Sequence, residues 1–310
     1  MTVTGHPAVR VGDPADPRLD DYRFTRDRDL SGAREREGLL IAETLPVIEV
    51  LLEQHPGAAR SVLCSERMAE RVQAGVRGRA PVLIADEALL SGIAGFTVHR
   101  GVLASAHRAP LLGRTPLDPP FLAADLLLAC DGVRNMDNIG ALFRIAAAFG
   151  VGGVLLSADA HDPLYRKSIR VSMGHALRIP FARCTSLAES IAALKTVRAR
   201  AVGAAPGGAD DGRHAGEAAG AGITPLHVLG ADAGTVSGMP AVPIGQAMRA
   251  VAGPVMLVVG EEYSGLRPDT IAACDGLVRI PMATGVDSLN VAVAAAICLS
   301  RLREAVALRP

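Results

Sequence analysis

The sequence predicts an α/β protein, with a small α/β unit in front and a larger one built on a parallel sheet behind. Three observations carry that expectation. Apolar runs without polar alternation (DLLLAC, GGVLLS, LHVLGA, VMLVVG and LVRI) recur through the second half, as strands buried on both faces of a parallel sheet do. Segments with helical apolar spacing stand between them, and strands alternating with helices make a sheet covered on both sides. A Pro-rich joint, RAPLLGRTPLDPP, interrupts the alternation and sets a boundary near residues 109–120.

Taken in order, residues 1–20 are rich in Pro, Asp and Gly and read as a loose tail. Residues 21–115 form the first unit. LLIAETLPVIEVLLEQ is a strand feeding a helix, RSVLCSERMAERV repeats the pair, and VLIADEALLSGIAG and TVHRGVLASAHR follow. Residues 120–310 hold the larger unit. Within it GAAPGGADDGRHAGEAAGAG (203–222) is low in complexity and reads as a flexible surface insertion.

The bulk numbers narrow the function. A chain of 310 residues, 49% apolar, supports about two domains with real cores. Lys+Arg and Asp+Glu balance at 32 each, so a nucleic-acid partner must be met by a local basic patch. Five scattered cysteines lack C-x-x-C spacing and read as buried thiols, with no metal expected. No signal-peptide core opens the chain and no run of about 18 apolar residues occurs. The expectation is a cytoplasmic protein without a membrane partner.

Four stretches carry chemistry. In DGVRNMDNIGALFRIAAAFG (131–150), Asn138 or Asp137 can cap a helix with Ile139, Leu142, Phe143 and Ala146 on its apolar stripe. Arg144 lies off that stripe. VVGEEYSGLRP (258–268) runs from a strand into G-x-E-x-x-G-L, carrying Gly260 and Glu262 at a strand's carboxyl end, where open α/β sheets bind ligands. It lacks the G-x-G-x-x-G of a dinucleotide site. In RIPMATGVDSLNVAVAAAICLSRL (279–302), Ser288 can cap the last helix, with Leu289 and Asn290 in its first turn. LYRKSIRVSMGHALRIPF gathers Arg166, Lys167, Arg170 and Arg178. Such a run is either a solvated face or a place to meet phosphates.

N-x-G-x-x-x-R, R-x-S-x-G, G-x-E-x-x-G-L, then I-P-M and S-L-N-V, in that order, resemble the SpoU (TrmH-type) RNA 2′-O-ribose methyltransferases of the SPOUT class. The resemblance is strong over residues 125–305. It extends more weakly to LLIAETLPVIEVLL, which is similar to that family's small RNA-binding domain. It implies a C-terminal SPOUT domain whose chain threads a deep trefoil knot, a homodimer, and S-adenosyl-L-methionine as cofactor. It also implies methylation of a ribose 2′-hydroxyl in rRNA or else tRNA. By motif match, Gly260, Ile280 and Leu289 hold the cofactor through backbone groups. Asn138, Arg144, Glu262, Ser288 and Asn290 surround the ribose, and Arg166, Lys167 and Arg170 meet the RNA.

The sequence departs from the family pattern at Met136, often proline, at Ala292, often a second serine, and at Thr44, where glycine is common after A-E. With three Tyr, six Phe and no Trp, RNA contact must lean on Arg, Lys and shape rather than stacking. The competing reading is a non-catalytic RNA-binding protein on the same fold. A Rossmann-type nucleotide enzyme fits the alternation but not the missing glycine fingerprint.

Overall fold

The computed structural model describes residues 6–23, 38–203, 227–231, 241–247, 253–261, 264–283 and 288–307. The chain forms two compact units. One comprises Met1–Gly113 with Asp162–Arg178, the other Arg114–His161 with Ile179–Pro310.

The first unit is built on a five-stranded sheet of β1 (Val9–Arg10), β2 (Leu39–Glu43), β3 (Ala59–Ser65), β4 (Val82–Ala85) and β5 (Val102–His107). Their order is β1-β4-β3-β5-β2. β1, β4 and β3 run parallel, and β5 is antiparallel to both β3 and β2. Helices Leu45–Gln54, Ala69–Val76 and Glu87–Ala94 follow β2, β3 and β4. The last of these starts where Asp86 Oδ1 accepts from the Leu89 N–H at 2.7 Å, and stops at left-handed Gly95.

From Val9 onward the opening stretch is not the loose tail expected over residues 1–20. β1 joins the sheet edge, and a 3-10 turn at Pro17–Tyr22 sinks Leu19 and Tyr22 into the core beside Ile41, Leu63, Leu83 and Leu103. Both side chains are fully buried, and the Tyr22 hydroxyl donates to the Ser61 carbonyl at 2.7 Å. Two apolar anchors three residues apart outweigh the turn-forming residues around them.

The second unit carries a seven-stranded, wholly parallel sheet: β6 (Leu126–Cys130), β7 (Gly153–Ser157), β8 (Phe181–Cys184), β9 (His227–Ala231), β10 (Val242–Pro243), β11 (Val255–Val259) and β12 (Gly276–Arg279). The order is β10-β12-β9-β11-β6-β7-β8. The five strands anticipated from apolar runs are all present, and β8 and β10 are additional. β6 and β11 lie side by side, Leu126–Cys130 in register with Val255–Val259, and every residue of both is buried. Leu127, Ala129, Met256 and Val258 pack with Leu187, Ile191, Leu194 and Ile271 from helices Leu187–Gly203 and Pro268–Ala273. The intervening strand residues face the opposite side. The final helix, Val291–Ala307, packs over β6, β9 and β11 and alongside helix Met136–Ala148.

This order positions a site. From β6 the sheet grows through β7 to β8, and from β11 it grows the other way through β9 to β12. The carboxyl ends of β6 and β11 therefore flank a topological switch point, where open α/β sheets place ligands. Beyond Gly203, the insertion expected over 203–222 lies outside the described residues. Among the described residues no helix is long and apolar enough to cross a membrane.

Candidate active site

At the end of β6 the ladder runs one residue further, the Asp131 N–H donating to the Val259 carbonyl at 2.8 Å. The chain then turns at Gly132, φ 70, whose N–H donates to Ser157 Oγ at 2.8 Å. Helix Met136–Ala148 begins at Asn135. Its Oδ1 accepts from the N–H groups of Asp137 and Asn138 at 2.8 and 3.2 Å. The cap is therefore Asn135, not Asn138 or Asp137. With the cap three places before it, Asn138 lies inside the first turn, its side chain not used in capping. It is 8% exposed, and its Oδ1 accepts from Asn290 Nδ2 at 2.9 Å. Arg144 is exposed further along the helix, and its side chain makes no hydrogen bond or ion pair with another described residue.

At the end of β11 the chain folds back on itself. Glu261 bridges to Gly265, whose N–H donates to the Glu261 carbonyl at 2.9 Å. Gly260 is obligatory for this return. A Cβ there would stand 2.3 Å from the Gly265 carbonyl carbon and 2.6 Å from the Leu266 nitrogen. Glu262 lies outside the described residues.

An ion network that the motifs did not foretell ties this loop to the ends of β6 and β7. Fully buried Asp131 accepts from the Arg267 N–H at 2.9 Å through Oδ2, and its Oδ1 lies 3.4 Å from Arg267 Nη1. Arg267 Nη2 donates to both oxygens of Asp159 at 2.6 Å, and Arg134 Nη2 donates to Asp159 Oδ2 at 2.6 Å. Ser157 Oγ completes the set, donating to Asp159 Oδ1 at 2.9 Å. Hydrogen bonding from Arg267 is the largest influence on Asp159. Against the opposing cost of burial, and helped by Arg134 and Ser157, it holds the carboxyl well below the usual carboxylate range. Asp131 was legible as the polar residue that follows a buried strand. Arg267, 136 residues away, was not.

The third element brings Asn290. The final helix begins at Val291, and Asn290 Oδ1 accepts from the Ala292 N–H at 3.0 Å and the Val293 N–H at 3.4 Å. Asn290 is thus the cap expected of Ser288, which stands two residues too early to reach those groups. Ser288 is exposed, Leu289 is 36% exposed and Ile280 is half-buried. Hydrogen bonds among the described residues leave the backbone N–H and C=O groups of Ile280 and Leu289 unengaged.

The basic stretch packs with the first unit, helix Arg166–Val171 lying against β2. Arg166 is not a surface cation. It is 7% exposed, its Nη1 donates to buried Glu43 Oε2 at 2.9 Å, and its guanidinium lies 4.4 Å from the Phe96 ring centroid. A cation held this way meets a phosphate only by abandoning Glu43. Arg170 reaches the same carboxylate at 3.4 Å with its side chain 42% exposed, and Lys167 is half-buried.

Comparison with known proteins decides the family, because the model of the SpoU rRNA Methylase family matches residues 125–300. The chain belongs to that family. An uncharacterized tRNA/rRNA methyltransferase of Mycobacterium tuberculosis is 32% identical over 294 residues, 93% of this chain and 88% of that protein. The 23S rRNA (guanosine-2′-O-)-methyltransferase RlmB of Acinetobacter baylyi is 32% identical over 212 residues, 68% of this chain and 73% of that protein. The crystal structure of an AdoMet-bound rRNA methyltransferase from Sinorhizobium meliloti superposes with a TM-score of 0.68 at 24% identity. The match covers 98% of this chain and 99% of that one, and it establishes a shared fold. The SpoU match spans β6 and β11, the network between them and most of the final helix, so the Asn138–Asn290 contact lies inside the RNA methyltransferase region.

Proposed function

We propose that this SpoU-type enzyme transfers the methyl group of S-adenosyl-L-methionine to a ribose 2′-hydroxyl of structured RNA, with ribosomal RNA as its substrate. The observation that carries the reading is the contact between Asn138 and Asn290, two motif residues joined across 152 positions at the switch point. The likeness to the Acinetobacter rRNA 2′-O-methyltransferase favours the ribose and ribosomal RNA.

The residues present fit the cofactor. Unengaged backbone groups at Ile280 and Leu289, flanked by their own apolar side chains, suit an adenine ring, which needs backbone hydrogen bonds and apolar cover. The Sinorhizobium neighbour carries AdoMet. When bound, the cofactor supplies an electrophilic methyl on its sulfonium. The protein's own task is then to hold the 2′-hydroxyl in line and to stabilise its oxygen as the proton leaves. Asn138, Glu262 and Ser288 orient the ribose. A guanidinium is a fixed cation and a poor general base, so Arg144 is not given the proton-removing role. Its role is to stabilise the developing alkoxide or to clamp a phosphate.

The first unit binds RNA through Lys167 and Arg170, with Arg166 holding their helix in place. The chain threads a trefoil knot, functions as a cytoplasmic homodimer, and uses no metal.

Calorimetric titration of S-adenosyl-L-methionine, with Leu289→Pro as control, tests the cofactor. Gly260 is a poor control, because any side chain there breaks its loop whether or not a cofactor binds. Transfer of labelled methyl to transcribed 23S rRNA and to tRNA, with the product digested to nucleosides, tests the rest. The expected product is a 2′-O-methylnucleoside from rRNA, with kcat about 100-fold lower in Arg144→Ala. Cofactor binding without transfer to either RNA sinks the enzymatic reading in favour of an RNA-binding protein. An Arg144→Lys enzyme with full turnover and RNA affinity removes both roles given to Arg144.

A further inference from the structure

We infer that Asn290 is a positioning residue that locks the side-chain amide of Asn138, so that Asn138 turns only N–H donors toward the reacting oxygen. The inference rests on the proposed methyl transfer for its purpose, but its geometry stands alone.

The assignment follows from which groups are able to donate. Backbone N–H groups donate and cannot accept, so the Asn290 atom facing Ala292 and Val293 must be its oxygen. The Asn290 amide nitrogen is thereby turned to Asn138 at 2.9 Å. An amide NH2 also only donates, so Asn138 must answer with its own oxygen. Asn138 Nδ2 is then the atom left over. It finds no acceptor among the described residues, although Asn138 is only 8% exposed. That nitrogen is not sealed in, so a ligand reaches it and takes up its donors, while the rest of the side chain is held by its surroundings.

The ligand that fits is an oxygen with lone pairs, and most of all one gaining negative charge. This excludes Asn138 as acceptor of the 2′-hydroxyl proton. Its amide instead donates into the oxygen as charge builds there, which is where a preorganised dipole lowers the barrier. The cap of the final helix thus sets hydrogen-bond polarity at the first motif, 152 residues away in the chain.

The decisive variant is Asn290→Asp. Its carboxylate still caps Val291–Ala307, but it confronts Asn138 with an acceptor. The Asn138 amide must then rotate by half a turn and present its oxygen to the substrate.

In methyl transfer to transcribed 23S rRNA, kcat is expected to fall about tenfold or more with the S-adenosyl-L-methionine Kd unchanged. Asn290→Ser, which keeps a capping oxygen but is too short to reach Asn138, is expected to lose turnover likewise. In an Asn138→Ala background, Asn290→Asp is expected to cost nothing further. Full turnover in Asn290→Asp, or a loss that multiplies with that of Asn138→Ala, overturns the inference.

A second readout needs no activity. In the full chain labelled with 15N-asparagine, the Asn138 side-chain NH2 resonances are expected to move downfield in Asn290→Asp, as that group begins to donate to a carboxylate. Unmoved resonances overturn the inference. Absence of methyl transfer by the wild-type protein refutes the proposed function and leaves this spectroscopic test standing.

Discussion

Thr44 holds its backbone at φ 81, ψ 140 between β2 and the helix it feeds, a conformation that costs a residue with a Cβ about 1–3 kcal/mol. Glycine would relieve that strain at an unfolded-state entropy cost of only about 0.4–1 kcal/mol, so relief wins. Thr44→Gly is expected to raise stability by about 1 kcal/mol, read as a higher urea midpoint at unchanged slope. A lower midpoint would mean that the threonine side chain makes a compensating contact. One residue earlier, Glu43 carries the opposite burden, as a buried carboxylate held by Arg166 at 2.9 Å and by Arg170 at 3.4 Å. Removing the nearer cation with Arg166→Met is expected to cost about 3 kcal/mol, because it strands a buried charge. The double change Arg166→Met with Glu43→Gln is expected to recover most of it, since replacing both charges restores neutrality. If the single variant unfolds at the wild-type urea midpoint, Arg166 is not a structural cation.

Between elements, Arg267, beyond the end of β11, owes its place to charge. Asp159 receives Arg267, Arg134 and Ser157 together, and its folded pKa lies well below the ordinary 3.8. A depressed carboxylate stabilises the fold fully above its unfolded value and loses that contribution as pH falls through the folded one. Stability is therefore expected to decline as acid takes the pH below about 4. Asp159→Asn is expected to lower the neutral-pH melting temperature and flatten that acid limb, and an unchanged limb in thermal scans would remove Asp159 as its source. Little of this network was legible beforehand, and the reason is physical. Buried strands announce themselves through local runs such as VMLVVG, and all five such runs became strands. β8, FARC with Arg183 exposed, and the two-residue β10 are too short and too mixed to do so. The caps failed differently. Asn135, Asp137 and Asn138 all suit an N-cap, as do Ser288 and Asn290, and only the tertiary position of the helix start selects among them. Asn138 and Asn290 stand in short motifs that a local reading picks out, whereas Arg267 meeting Asp131 and Asp159 depends on strand order, which local pattern does not encode.

For the whole molecule, the path of the chain matters more than its boundary near residue 113. The chain leaves the first unit at Gly113, lays down β6 and β7, returns for Asp162–Arg178, and only then completes the seven-stranded sheet. No contiguous cut separates the units, although a Pro-rich joint invites one. The returning segment brings apolar cargo: Leu164, Tyr165, Ile169, Ala176 and Leu177 are all at most 8% exposed. Its charges are matched within the same unit, Arg166 to Glu43, Arg178 to Glu53 and Arg108 to Asp162. A chain beginning at Arg114 would keep that segment and lose β2 and helix Leu45–Gln54, on which it packs. Such a fragment is expected to bind a hydrophobic dye and to aggregate, because several large side chains lose their cover at once. Replacing 162–178 in it with a Gly/Ser linker of equal length removes the stranded apolar surface and leaves the seven strands their own core. That second fragment is expected to run as a single species in size exclusion with far-ultraviolet circular dichroism of an α/β sheet. If instead the Arg114 fragment is dye-silent and monodisperse with 162–178 intact, the returning segment does not depend on the first unit, and the interleaving has no hold on stability.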